Sequence, residues 1–262
     1  MELSSGRFTD RCALVTGAAR GIGEAVVRRL IGEGAFVFGV DRNGDRLESL
    51  SAELNATRRT MQAVTVDIAD AAAVEGAIER IEAERPIDLL VNAAGVLQAA
   101  AFEATTPELW LATFAVNAHG TFFVSRAVTR RMAARRVGSV VTVASNAGST
   151  PRVGMSAYCA SKAAAAMLTR CMGLELARSG VRCNVVSPGS TDTPMLRAIA
   201  EGPEERARLL IEGDLGRHRL GIPLGRIASP DDIAAGVAFL LSEEAKHVTM
   251  HELLIDGGAT LG

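Results

Sequence analysis

The sequence predicts an α/β chain, one domain built around a doubly wound parallel sheet of about seven strands. Three observations carry this. Apolar runs of strand length hold few alternating polar residues, as strands covered on both faces do. These runs alternate with helical stretches of roughly 10–15 residues, the rhythm of βαβ units. The 262 residues contain no linker, internal repeat or low-complexity tract, and that length suits a single domain of this type.

The elements follow in order. Residues 12–16 (CALVT) are a short apolar run ended by glycines, 21–32 read as a helix, and 35–41 (AFVFGVD) as a strand. A helix over about 43–56, a strand at 61–67 (MQAVTVD) and a helix at 70–84 come next, the last opened by Asp70 as its cap. The run 87–92 (IDLLVN) is a strand, and 106–136 carries helical periodicity broken near Asn117. Strand 139–144, helix 156–178, strand 181–187, helix 230–242 and strand 252–256 complete the series. Residues 190–226 are the exception, with glycine, proline and charge but no strong period. A stretch of this kind is expected to form a lid, placed at about 192–222.

Composition narrows the function. Apolar residues make up 48% and charged residues 22%, the balance of an ordinary globule that needs no disulfide or metal staple. A net charge of −2 offers no basic field for nucleic acid or an anionic membrane. No apolar run approaches the roughly 20 residues that span a bilayer. The polar stretch from Met1 to Arg11 lacks a signal-peptide core, so the expected location is the cytoplasm. Cys12, Cys159, Cys171 and Cys183 show no metal or redox spacing, and neither do the four histidines. Cys159 adjoins a candidate catalytic residue, where a reactive thiol is weighed against plain packing. Of the 28 basic residues only Lys162 and Lys246 are lysines, and Tyr158 is the only tyrosine. The one tyrosine and one of two lysines lie four residues apart, which asks for a chemical reason.

The segment T-G-A-A-R-G-I-G lies between the first strand and the first helix. Its Gly17, Gly21 and Gly23 allow a tight turn and close approach of backbone to a pyrophosphate, while the helix N-terminus presents N–H groups around Arg20 and Ile22. The spacing G-x-x-x-G-x-G reads as a Rossmann-type dinucleotide turn, with a glycine turn of purely steric origin as the alternative. Asp41 closes the second strand, where a carboxylate can accept hydrogen bonds from adenosine ribose hydroxyls and repel a 2′-phosphate, favouring NAD over NADP. Arg20 and Arg42 could each attract a phosphate, and solvated surface charge is the alternative. Asp67 and Ile68 follow the third strand and are placed to meet the adenine. Asn92, Ala93 and Gly95 end the fourth, where small residues let a cofactor lie close to the backbone.

Tyr158 and Lys162, at i and i+4, share one helix face. Hydride transfer from an alcohol needs a group to take the hydroxyl proton. A phenol with an ordinary pKa near 10 needs a neighbouring cation to do so near neutrality. Ser145, at the end of strand 139–144, can hold the substrate oxygen against Tyr158.

These motifs, T-G-A-A-R-G-I-G, N-A-A-G, Ser145, Y-C-A-S-K and Pro188-Gly189, stand in the order and spacing of the short-chain dehydrogenase/reductase family, which the chain resembles over roughly residues 8–262. The resemblance implies that Asn117 is a fourth catalytic residue, at a main-chain irregularity that holds a water in relay with Lys162. It also implies that Lys162 binds nicotinamide ribose hydroxyls, that Thr193 contacts the carboxamide, and that the protein is a homotetramer with the tyrosine-bearing helix at an interface. A narrower resemblance is to the 2,3-dihydro-2,3-dihydroxybenzoate dehydrogenases of catechol siderophore biosynthesis, carried by S-T-P-R-V-G-M-S-A-Y, L-G-I-P-L-G-R-I-A and I-D-G-G-A-T-L-G. That implies NAD-dependent oxidation of a ring alcohol of a cyclohexadiene carboxylate.

Arg152 suits the carboxylate of such a ring as a bidentate donor, with a solvent-facing loop arginine as the alternative. Met155 would pack on the ring or fill the core. Leu97 and Gln98 follow N-A-A-G. Gln98 departs from the arginine usual in that branch, which points to 2,3-dihydro-3-hydroxyanthranilate as an alternative substrate. Met195 and Leu196 would close over the substrate, with Arg197 and Arg217 as weaker anion contacts. Two further readings are a generic keto-reductase, disfavoured by Asp41, and a nucleotide sensor without chemistry, disfavoured by the intact Ser145, Tyr158 and Lys162.

Overall fold

The structure, a computed structural model, describes residues 6–198 and 202–261, without the side chains of 203–206. Seven parallel strands form one sheet in the order β3-β2-β1-β4-β5-β6-β9. They are β1 (Cys12–Thr16), β2 (Phe36–Asp41), β3 (Met61–Thr65), β4 (Leu89–Asn92), β5 (Gly138–Val143), β6 (Val181–Pro188) and β9 (Glu252–Ile255). The order reverses between β1 and β4, so the crossovers leave in opposite directions there and open a crevice at the C-terminal ends of those strands.

Two apolar layers cover the sheet. In β1, Ala13 and Val15 enter one layer while Cys12 and Leu14 enter the other, the period-two alternation of a strand buried on both faces. The first layer takes in α1 (Gly21–Gly32), α2 (Gly44–Leu54) and α9 (Pro230–Leu241). The second takes in α3 (Ala71–Glu84), α5 (Thr121–Arg135) and the inner face of α6 (Ser156–Leu176). Local chemistry fixes the helix starts. The Asp70 side chain accepts from the N–H groups of Ala72 and Ala73, as expected of a cap. Ser229 and Asp232 form a reciprocal capping box ahead of α9, with Pro230 at its first position.

The expected break near Asn117 is a π-helical turn, Ala115–Gly120, between α4 (Pro107–Phe114) and α5. The wider turn displaces the backbone there, a distortion that recurs at functional sites.

The stretch 192–222 is more ordered than its lack of period suggested. It contains α7 (Pro194–Arg197), α8 (Pro203–Ile211) and the antiparallel pair β7 (Gly213–Asp214) and β8 (Arg219–Leu220); residues 199–201 of the expected lid lie outside the described residues. These pieces are too short for periodicity to reveal. Among the described residues, no helix is long and apolar enough to cross a membrane.

Candidate active site

The crevice at the strand ends divides into two joined clefts. The first, of about 160 Å³, is walled by the glycine turn after β1, the ends of β2 and β3, and the segment after β4. Gly17, Arg20, Gly21, Ile22, Gly23, Asp41, Asp67, Ile68, Ala93, Gly95 and Thr193 all line it, as expected. The glycines are required by contact. A Cβ on Gly23 would stand 2.0 Å from the Gly17 carbonyl oxygen, and one on Gly17, at φ +66°, 2.7 Å from the Ala94 Cα. The Asp41 carboxylate is held in place by the Ala19 N–H at 3.1 Å and the Asn43 N–H at 3.0 Å. A carboxylate beside a bare backbone turn and the open N-terminus of α1 fits a dinucleotide.

Asn92 departs from expectation. Its side chain turns away from the cleft and donates to Ser125 Oγ at 2.9 Å and Thr142 Oγ1 at 3.3 Å, while its Oδ1 is buried without a partner among the described residues. Of this segment it is Ala93, Ala94 and Gly95, just past the end of β4, that line the cleft.

The second cleft, of about 280 Å³, is lined by Ser145, Tyr158 and Lys162 together with Leu97, Arg152, Met155, Pro188, Gly189 and Met195. Five residues wall both clefts: Ile22, Ala93, Gly95, Thr193 and Met195. Ser145 ends the extended backbone after β5, and its hydroxyl accepts from the Ala147 N–H at 3.1 Å. It also lies in hydrogen-bond reach of the Tyr158 phenol. The Lys162 ammonium donates to the Val143 carbonyl at 2.9 Å and stands 5.9 Å from the centre of the Tyr158 ring.

Burial dominates the titration of this pair. It pushes the Tyr158 phenol up to about 12 against a smaller downward pull from the Ser145 hydrogen bond. It brings Lys162 down to about 8. The expected lowering of the phenol by a neighbouring ammonium is therefore not a property of the chain alone. The half-buried Cys159 thiol is likewise raised, first by burial, which favours the packing reading over a reactive thiolate.

Asn117 lies behind these groups. Its amide closes a two-way bond with the backbone of Val96, accepting from its N–H at 2.8 Å and donating to its carbonyl at 3.0 Å, and also donates to Ser161 Oγ at 2.9 Å. A Cβ on Gly95 would come within 3.2 Å of Lys162 Nζ and 3.4 Å of Asn117 Oδ1, so the amide and the amine flank the same glycine.

Gln98 is the second correction among the expected contacts. It is exposed and lines neither cleft, because the chain after Leu97 climbs out of the crevice. Arg197 is spent on a two-pronged pair with Asp192, both bonds 2.8 Å, at the surface. Arg217 does line the second cleft. Sequence reasoning missed Asn146, Ser190, Leu209, Leu210, Asp214 and Arg219, which also wall it. Asn146 follows Ser145 directly and donates to the Asp256 carboxylate at 3.2 Å, a tie no spacing would reveal.

Comparison with known proteins places this geometry. A family described as short chain dehydrogenase matches residues 11–204. The chain is 49% identical over 253 residues to 2,3-dihydro-2,3-dihydroxybenzoate dehydrogenase of Bacillus subtilis (strain 168), covering 96% of this chain and 97% of that one. It is 43% identical over 258 residues to the enzyme of the same name in Escherichia coli (strain K12), covering 97% and 99%. Among solved structures, a putative NAD(P)-dependent gluconate 5-dehydrogenase from Beutenbergia cavernae with NADP bound at low occupancy superposes with a TM-score of 0.89, at 32% identity over 98% of this chain and 100% of that one.

Proposed function

This chain belongs to the short-chain dehydrogenase family, and on that premise we propose that it oxidises a ring hydroxyl of 2,3-dihydro-2,3-dihydroxybenzoate with NAD in catechol siderophore biosynthesis. The observation that carries this is one cleft holding Ser145, Tyr158 and Lys162 together with the Arg152 guanidinium. It joins groups that handle a hydroxyl to a group that holds a carboxylate.

The family uses a nicotinamide cofactor, which when bound accepts the hydride. Gly17, Gly21 and Gly23 would hold its phosphates, Asp41 the adenosine ribose, Lys162 the nicotinamide ribose and Thr193 the carboxamide. Asp41 argues for NAD, because a fixed carboxylate at this place repels a 2′-phosphate. Arg20 and Arg42 line the same cleft, and NADP in the Beutenbergia structure makes the cofactor choice an experiment worth running. Ser145 holds the substrate oxygen and Tyr158 takes its proton. Lys162 supports the phenolate, while Asn117, through Val96 and Ser161, holds the elements that carry both. Met195 and Leu196, with Leu209 and Leu210 of α8, close the apolar side in the manner of a lid. Loss of the hydride leaves a ring ketone whose tautomerisation to an aromatic acid draws the reaction forward.

The hydroxyanthranilate alternative rested on Gln98, which the fold turns to solvent, so nothing in the cleft favours it. We also propose a cytoplasmic homotetramer. Met167 and Leu174 of α6, 55% and 69% exposed, give the tyrosine-bearing helix an apolar outer face for a second copy.

The test is production of reduced cofactor by purified protein with NAD or NADP and each dihydro-aromatic acid in parallel. Preference for NAD and the dihydroxy acid is expected. Higher efficiency with the amino acid analogue, or no turnover of either, would overturn the assignment.

A further inference from the structure

The charged side chains at the outer part of the substrate cleft were not all legible in the sequence. Arg152, Arg217 and Arg219 line it against one carboxylate, Asp214. Asp214 is already engaged: Arg217 Nε stands 3.6 Å from it, and it accepts from the Arg217 N–H at 3.3 Å. Arg217 is mostly exposed, with a side-chain accessibility of 74%. Arg219 is different. It sits on β8, is half-buried, and among the described residues its guanidinium makes one hydrogen bond, to a neutral partner, Ser190 Oγ, at 2.8 Å. Ser190 follows Pro188-Gly189 and lines the same cleft. Burial holds the Arg219 guanidinium below its usual range, the nearby Arg152 charge pushes in the same direction, and the Asp214 carboxylate offsets only part of this. Three guanidiniums gathered at one cleft, one of them half-buried, against a single carboxylate already bonded to Arg217 leave a surplus of positive charge that a further anion would offset.

We propose that Arg219, anchored by Ser190, is the second arm of a carboxylate clamp whose first arm is Arg152, so that the β7–β8 hairpin reads the acid group of the substrate. Two guanidiniums offer up to four N–H donors in two planes to one carboxylate. The hydroxyl to be oxidised then faces Ser145 and Tyr158 while the acid faces the hairpin, which fixes the ring in the plane between them. This assignment rests on the cyclohexadiene-carboxylate reading above, but it makes a claim of its own about an anion.

The test compares two substrates and one ligand. Wild type, Arg219→Ala, Arg219→Lys and Ser190→Ala are assayed on 2,3-dihydro-2,3-dihydroxybenzoate and on the corresponding cyclohexadiene diol without a carboxylate. In parallel, 2,3-dihydroxybenzoate binding to the NADH-saturated enzyme is measured by calorimetry. For the acid, KM should rise roughly 10- to 100-fold in Arg219→Ala with kcat nearly kept, as expected for loss of a charge-assisted contact made equally in the ground and transition states. Arg219→Lys should recover part of the loss, Ser190→Ala should show a smaller one, and turnover of the neutral diol should be unchanged in all three. Equal losses on acid and neutral diol would show a structural role and overturn the clamp. If wild type oxidises neither diol yet binds the aromatic acid in an Arg219-dependent way, the substrate assignment falls and the clamp stands. If wild type binds no aromatic acid, or binds it equally well without Arg219, the clamp is wrong.

Discussion

Tyr158 is the only tyrosine in the chain, so its ionisation is directly visible in the ultraviolet. Burial places the phenol at about 12 and Lys162 at about 8. At pH 8, then, only about one chain in ten thousand carries a phenolate, and bringing the phenol into titration there needs about 5 kcal/mol of preferential stabilisation. An ammonium 5.9 Å from the centre of the ring, with the phenolate charge taken at that centre, supplies about 3 kcal/mol at an effective dielectric constant of about 20. In the chain alone it supplies nothing near pH 12, where the phenol titrates, because Lys162 has lost its proton well before the phenol begins to lose its own. The expected titration of the cofactor-free enzyme therefore shows no phenolate through pH 10, and Lys162→Met leaves that curve in place. Saturation with NAD should move the wild-type onset down by two pH units or more and move Lys162→Met less. Circular dichroism at each pH separates true ionisation from alkaline unfolding. A phenol that titrates at or below its ordinary 10 in the free enzyme, or that rises on Lys162→Met, would refute the argument that burial rules this pair.

The same groups set the alkaline limit of stability. Cys12 and Cys183 are raised to about 12, as is Tyr158, each by burial, so all three favour the folded state fully below their unfolded values and lose that contribution as pH climbs to about 12. Lys162 is depressed to about 8, so the unfolded chain binds more protons between there and its ordinary value, and folding gains over that window. With one gain starting at about 8 and the losses of the three raised thiols, Cys12, Cys183 and Cys159, starting near 9, urea midpoints measured against pH should peak close to pH 9. A monotonic decline from pH 7 would contradict this. Gln98→Arg, at an exposed position off both clefts, should leave the ratio of kcat/KM between the dihydroxy and amino acids unaltered, and a change of tenfold would place the residue back in the site.

Much of the architecture was legible because it rests on repetition. Strand alternation, helical period, the Asp70 cap and the glycine turn each follow from contacts within a few residues, and each stands where the sequence put it. Tyr158 and Lys162 were found for the same reason, one helix face and two rare residue types. What escaped depends on direction after a strand ends. Asn92 and Gln98 lie in a segment where the chain leaves the sheet, and spacing alone does not say which way a side chain turns there. Arg219 escaped for another reason. It sits on a two-residue strand without measurable period, in a chain so rich in arginine that one more carries no signal.

The wall shared by the two clefts has a thermodynamic consequence. Ile22, Ala93, Gly95, Thr193 and Met195 face both chambers, so a dinucleotide in one and a ring acid in the other would order the same side chains. Whichever arrives first would bear the entropy of fixing Met195 on α7, and the second would find that cost already met. The two affinities would then be linked by one coupling free energy, equal in both directions, giving cooperativity between unlike ligands without any change of fold.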